Sequence, residues 1–272
     1  MSDWLLFDPM FRVAFFTGLA LAVALSLIGA WLRLRGEWLA AFGLAQIAAA
    51  GGILSIPLGV PVLVTATAAA AVAAGVRELI PRPDNSHFAL MILIGWSGAL
   101  ILAGNVHHGN VIGESLLRGQ LYFSHPGHLV VAVVLVGVTL AALPWLQPRL
   151  LRERFFPDWF SANRIPAWPH RLLFGALMVG AAVLGTVAMG AFPAFALFFI
   201  PPWVAFGLVR GWNAALAVSV ALGAGAYVIA FLLAMMLDQP FGPTLVALLA
   251  LTAALRLSGR AGALRAKGAT RT

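Results

Sequence analysis

The chain has 272 residues, 62% of them hydrophobic and only 10% charged, where a soluble domain carries about 25% charged residues. A water-soluble fold cannot hide that much apolar surface, so the solvent must be lipid. Cysteine is absent, which excludes disulfides and thiolate metal sites. The net charge of +8 is spread in short runs between apolar stretches instead of forming the single patch a nucleic acid would need.

About 20 apolar residues cross the hydrocarbon core as a helix. By that rule the sequence predicts an all-α, polytopic membrane protein. Nine spans are expected, near 11–32, 38–57, 60–76, 87–105, 129–146, 171–190, 192–209, 213–237 and 242–256. The opening "MSDWLLFDPM" lacks a basic start, and the apolar run after it is too long for a signal core. It is therefore read as a retained helix. The second span holds "RGEWLAAFGLAQIAAAG", residues 35–51, with one lone amide, Gln46. Tight Gly/Pro turns, "IPLGVP" and "GAF", separate the second span from the third and the sixth from the seventh.

Between the fourth and fifth spans, residues 106–128 carry His107, His108, Glu114, His125 and His128. Imidazole is a frequent metal ligand, so the four histidines are weak metal candidates. Adjacent histidines point in different directions, however, and Pro126-Gly127 suggests a turn, so a solvated loop is the expected reading. His87 and His170 fall at inside ends of spans and are expected at the interface.

The longest inside loop is "QPRLLRERFFPDWFSANRIPAWPH", residues 147–170. "PDWFSANR" predicts a short helix: Pro157 suits a first turn, and Asp158 suits the positive end of the helix dipole. Trp159 and Phe160 give it an apolar side. Such a helix can lie on the membrane surface or dock into a cytoplasmic partner.

Gly175, Gly180, Gly185 and Gly190 in the sixth span allow close helix approach. In the seventh, "FPAFALFFIPPWVAF", Pro201 and Pro202 remove two backbone donors and are expected to break or bend the helix. Freed carbonyls at membrane depth are tolerated only inside protein or along a wet cavity. This span is therefore read as interior-facing, either as a packed kink or as part of a pathway.

With nine crossings and the N-terminus outside, 15 of the 17 cations lie inside, leaving Arg12 and Arg118. That satisfies the positive-inside bias and puts the C-terminus in the cytoplasm. Residues 1–256 form the transmembrane unit. The tail 257–272, small and basic, is expected to be disordered and to touch anionic lipid. No Asp, Glu, Lys or Arg stands mid-span, which disfavours proton-coupled transport. "HExxH" and "GxxxxGK[ST]" are both missing, so a protease or an autonomous ATPase is disfavoured. Any energy source is expected in another chain.

Four pieces, in this order, resemble one family: "DPMFRVAFFTGLALAVALSLIGAWLRLRGEWLA", "LLRGQLYFS", "FALFFIPPWVA" and "LDQPFGPTLVALLAL". The chain is similar to the membrane subunit of ATP-binding-cassette importers for zinc, manganese and iron, over nearly all of residues 5–256. The resemblance implies a permease fold of the metal/vitamin-B12-like type in a bacterial-type inner membrane, and a homodimer of this chain. It also implies a cytoplasmic ATPase dimer that holds ATP and Mg, so that no cofactor is bound here, and an extracytoplasmic binding protein. On the same ground 156–166 is the coupling helix, with Asp158, Trp159, Phe160, Ser161 and Ala162 meeting the ATPase.

One departure has chemical weight. In that family the segment at 35–51 carries an acid and, four residues later, a histidine. These fall here on Phe42 and Gln46. A small dication exchanges its hydration for carboxylate or imidazole, and neither residue supplies one. Phe42, Gln46, Pro201 and Pro202 are therefore the pathway candidates. The cargo is read as a metal ion or metal complex, with a non-metal small solute as the alternative. Gln46 would contact that cargo or hydrogen-bond a neighbouring helix. A non-transporting scaffold or sensor is the remaining reading.

Overall fold

The computed structural model describes residues 9–80, 84–107, 109–119, 121 and 125–269. Among them all regular structure is helical. Nine long helices coincide with the nine expected spans: α1 (Pro9–Arg35), α2 (Trp38–Ile53), α4 (Val62–Glu78), α5 (Asn85–Asn105), α7 (Pro126–Phe155), α9 (Trp168–Met189), α10 (Ala191–Leu208), α11 (Trp212–Met236) and α12 (Phe241–Ala269). Three short helices lie between them: α3 (Ser55–Leu58), α6 (Gly109–Arg118) and α8 (Trp159–Ala162). Six of the long helices meet the length and hydropathy of a membrane span on their own, and the apolar stretches of α2 and α12 are shorter.

The turns follow from the sequence. Gly36, at φ +76°, closes α1: its N–H and that of Glu37 donate to the carbonyls of Arg33 and Leu32 at 3.1 and 3.0 Å. That left-handed backbone favours glycine. Asp84 caps α5 by accepting from the N–H groups of Ser86 and His87. The hydrogen bond with the His87 side chain holds this exposed carboxyl below its usual range.

Helix α2 sits at the centre of one half, against α4, α5, α6, α9 and α10. Helix α1 sits at the centre of the other, against α7, α9, α10 and α11, with α12 covering α10 and α11. The outward faces of α5 and α7 expose Leu93, Ile94, Ile101, Val130 and Val134. Hydrocarbon or a packed protein partner leaves such a surface unpenalised, and water does not.

Three expectations change. Residues 109–118 form α6 and not a solvated loop: Gly109, Ile112, Gly113, Leu116 and Leu117 turn one helical face to the bundle, the period of an amphipathic helix. The proline pair, expected to break or bend its helix, does not break α10, which is continuous with Pro201 and Pro202 inside it. Finally, α12 runs through 257–269, the segment expected as a disordered tail. Its Ala, Leu, Arg and Lys residues are good helix formers. Residues 270–272 lie outside the described residues.

Candidate functional site

Phe42 and Gln46 lie one turn apart on α2, and Phe42 faces α10. The Phe42 ring centre is 4.6 Å from that of Phe195 and 5.4 Å from that of Phe192. One turn earlier, the Trp38 ring lies 4.9 Å from Phe199. Phe195 stacks on Phe199 at 5.9 Å, and Phe199 meets Trp203 at 6.3 Å. The steps 192, 195, 199 and 203 follow one face of α10, so six rings make a continuous row along the seam. Phe192 is half exposed and the other five are partly buried.

Gln46 is buried, and its Oε1 has no hydrogen-bond partner. α5 presses on it closely: a Cβ added at Gly95 would stand 2.8 Å from the Gln46 Cβ and 2.6 Å from the Ile47 nitrogen. The α2–α10 seam therefore offers π faces and no charge, while the unpartnered Gln46 oxygen is buried where α5 packs on α2. Such a set cannot replace the hydration of a bare dication.

Pro201 and Pro202, between Phe199 and Trp203 on the same helix, are buried. Pro202 cannot donate to the carbonyl four residues back, that of Phe198. Gly29 of α1 lies against that carbonyl, so closely that a Cβ there would overlap it. A packed helix thus covers one of the freed acceptors.

The histidines of 106–128 do not converge. His125 and His128 form the reciprocal cap of α7, their rings 5.9 Å apart. His107 follows α5, and Glu114 is exposed on α6. His108 lies outside the described residues. Among the described residues, no group of three or more His, Asp or Glu side chains is placed to hold a metal ion.

The other end of the bundle is charged. There the helix expected over 156–166 is a single turn, α8, bounded by Pro157 and Pro166. Asp158 is its N-cap residue but makes no side-chain cap bond; its carbonyl accepts from the Ser161 hydroxyl at 2.9 Å. Arg164, at φ +54°, closes the turn, as the N–H groups of Arg164 and Ile165 return to the carbonyls of Ser161 and Phe160. Trp159 lies under the Arg152 guanidinium at 4.9 Å. Phe160 points inward, 5% exposed, and stacks on His170 at 4.7 Å. The surface that α8 presents is formed by Ser161 and Ala162, flanked by exposed Phe155, Phe156, Ile165 and Trp168.

Beneath α8 an ion-pair network crosses five chain segments, invisible in the sequence because its partners lie far apart. Glu153 of α7 accepts from His170 Nε2 at 3.1 Å, Arg171 Nε at 2.6 Å and Arg35 Nη1 at 3.4 Å. Arg35 also holds Glu37, with Nε to Oε2 at 3.1 Å. Glu37 pairs in turn with buried Arg77, which bonds Glu78 at 2.8 Å. Glu153 lies seven residues past Leu146, where the span expected over 129–146 ends, about 10 Å along the helix. Burial works to raise its carboxyl, but the His170 bond and the charges of Arg35 and Arg171 outweigh that and hold it at about 2.

Comparison with known proteins adds a family and two folds. A model of the ABC 3 transport family matches residues 7–258. A chain of PsaBC from Streptococcus pneumoniae, solved in complex with Fab, shares the fold at a TM-score of 0.81 and 17% identity, covering 93% of each chain. A transporter described as of the metal-chelate ABC type, in an inward-facing conformation, shares it at 0.71 and 18% identity, over 95% of this chain and 91% of that one. A search of curated protein sequences returned no match.

Proposed function

The chain belongs to the ABC 3 transport family, and from that premise we propose that it is the membrane-spanning permease subunit of an ATP-driven importer. The observation that carries this reading is the surface around α8. Ser161 and Ala162 are exposed, and the chain on either side of them exposes Phe155, Phe156, Ile165 and Trp168. An apolar patch of that kind beyond the lipid-length part of the helices marks a protein interaction site. The chain has no phosphate loop, so ATP and Mg belong to a separate cytoplasmic ATPase dimer seated on this surface. Two copies of the chain form the pore, with the N-terminus outside, and an extracytoplasmic binding protein delivers cargo to the opposite face. ATPase closure pushes on α8 and shifts the helices between outward and inward access.

For the cargo, α2 and its seam with α10 favour a metal complex over a bare ion. Phe42 and Gln46 supply rings and one neutral oxygen. A complexed metal keeps its own donors and presents organic surface, which those rings can cover. The same observation supports a second reading, a non-metal organic solute.

The test is reconstitution with the ATPase and binding protein in liposomes. Uptake should require ATP. Ala162→Arg, on the exposed face of α8, should release the ATPase while the chain still elutes as a folded species. Uptake by the chain alone without nucleotide would overturn the proposal. The isolated binding protein decides the cargo: bound metal with its chelator supports the first reading, and a metal-free organic ligand supports the second.

A further inference from the structure

Phe160, His170, Glu153, Arg35 and Glu37 connect α8 to the N-cap of α2 by unbroken contact. The Phe160 ring lies on His170 at 4.7 Å, His170 bonds Glu153 at 3.1 Å, and Glu153 meets Arg35 at 3.4 Å. Arg35 grips both oxygens of Glu37, at 3.1 and 3.3 Å. Glu37 is the N-cap residue of α2, yet its side chain makes no capping bond to the helix. It spends its carboxylate on Arg35 and on buried Arg77 at the end of α4. The next residue, Trp38, begins the row of rings along α10.

Packing alone would not call for this arrangement. Desolvating paired charges costs about as much as their attraction returns, so apolar residues of equal volume hold helices together as well or better. What paired charges add is register: each guanidinium fork donates to its carboxylate in few geometries. The network also ties together separate helices, with Glu153 on α7, His170 and Arg171 on α9, Arg35 on α1, and Glu37 at α2.

We propose that Glu153 and Glu37 are positioning residues that carry displacement of α8 to α2, so that movement of the docking surface tilts the helix bearing Phe42 and Gln46. The role of α8 as docking surface rests on the function proposed above. The mechanical link is a property of this chain and can be tested without any ATPase. In this scheme α8 moves His170 through the Phe160 ring. His170 and Arg171 hold Glu153, and Glu153 draws Arg35 and the N-cap of α2 with it.

The experiment is amide hydrogen exchange on the purified full chain in lipid nanodiscs, read at residues 40–46. Phe160→Ala, which removes the ring contact, should raise exchange there at least threefold. In a Glu153→Gln background the same Phe160→Ala change should add nothing, and Glu153→Asp, which restores the charge, should restore the response. Should Glu153→Gln fail to give a monodisperse protein, Arg35→Gln cuts the chain one link further on and serves in its place. Exchange at 40–46 that ignores Phe160→Ala overturns the proposal, as does a response that survives in Glu153→Gln. A merely structural network would loosen all its helices alike and would not remove the response of α2. In the assembled importer, Glu153→Gln should hydrolyse ATP at the unmodified rate and move at least tenfold less cargo per ATP. Equal transport per ATP would also overturn it. Absence of any ATPase from the isolated complex would sink the importer reading and leave the exchange result standing.

Discussion

Gly29 of α1 lies against the carbonyl oxygen of Phe198 in α10, the acceptor that Pro202 leaves without its helical donor. The proline pair and the glycine are thus one device: the helix continues because a neighbouring backbone covers the exposed carbonyl. Gly29→Ala should therefore cost about 1–3 kcal/mol, the range of overpacking in a close-packed interior, since the obstructing atom is backbone and cannot swing aside. Thermal unfolding in detergent measures it. An unchanged midpoint would show that α1 can retreat at no cost.

Gln46 gives the sharpest separation of packing from transport. Its Oε1 is buried without a partner, and an unmet acceptor costs about 1–3 kcal/mol. Gln46→Met, similar in volume and apolar, should leave stability equal or raise it by about 1 kcal/mol. Uptake by the assembled importer should fall at least fivefold if the amide touches cargo. Unchanged uptake with raised stability would assign Gln46 to helix packing alone.

The nine spans were legible because lipid imposes one criterion, length of apolar run, which the sequence meets without tertiary information. The predicted 171–190 and the observed Trp168–Met189 differ only at the ends. α6 carried an equally clear signal in Gly109, Ile112, Gly113, Leu116 and Leu117. At ten residues it is too short for that criterion, and the histidines around it drew the reading toward chemistry. α8 shrank to one turn because Pro157, Pro166 and left-handed Arg164 limit it on both sides. The inward turn of Phe160 was not legible, since its partner His170 lies on the next helix. Nor was the ion-pair network, where Arg35 and Glu153 are 118 positions apart. The aromatic seam was half legible: the rings of α10 recur at helical spacing, but only packing shows that Trp38 and Phe42 join them.

Arg256 joins α12 to α10. Its guanidinium lies 3.9 Å from the centre of the Trp203 ring and donates to the Trp203 carbonyl. Arg256→Lys keeps the charge and loses the planar stack and the fork. The expected loss is about 0.5–2 kcal/mol, the range of a partly desolvated cation–π contact. Unfolding in detergent reads it directly. If Lys matches Arg, charge alone holds the two helices together.

Glu153 sets an acid limit on the charged end. Its carboxyl is held at about 2 in the folded chain, against an ordinary 4.5. A depressed carboxylate contributes its stability above the unfolded value and loses it as pH falls through the folded one. The contribution is therefore complete above about pH 5 and disappears between 4.5 and 2. A shift of this size corresponds to roughly 3 kcal/mol, less whatever the unfolded chain retains. The unmodified chain should be more stable than Glu153→Gln at pH 7 by that order. The gap should close as the pH is lowered toward 2, because protonation makes the two side chains nearly equivalent. Unfolding midpoints of both proteins, taken from pH 7 to pH 3 in the same detergent, test the sign. Parallel curves would mean that His170, Arg35 and Arg171 do not hold the carboxylate in its charged form.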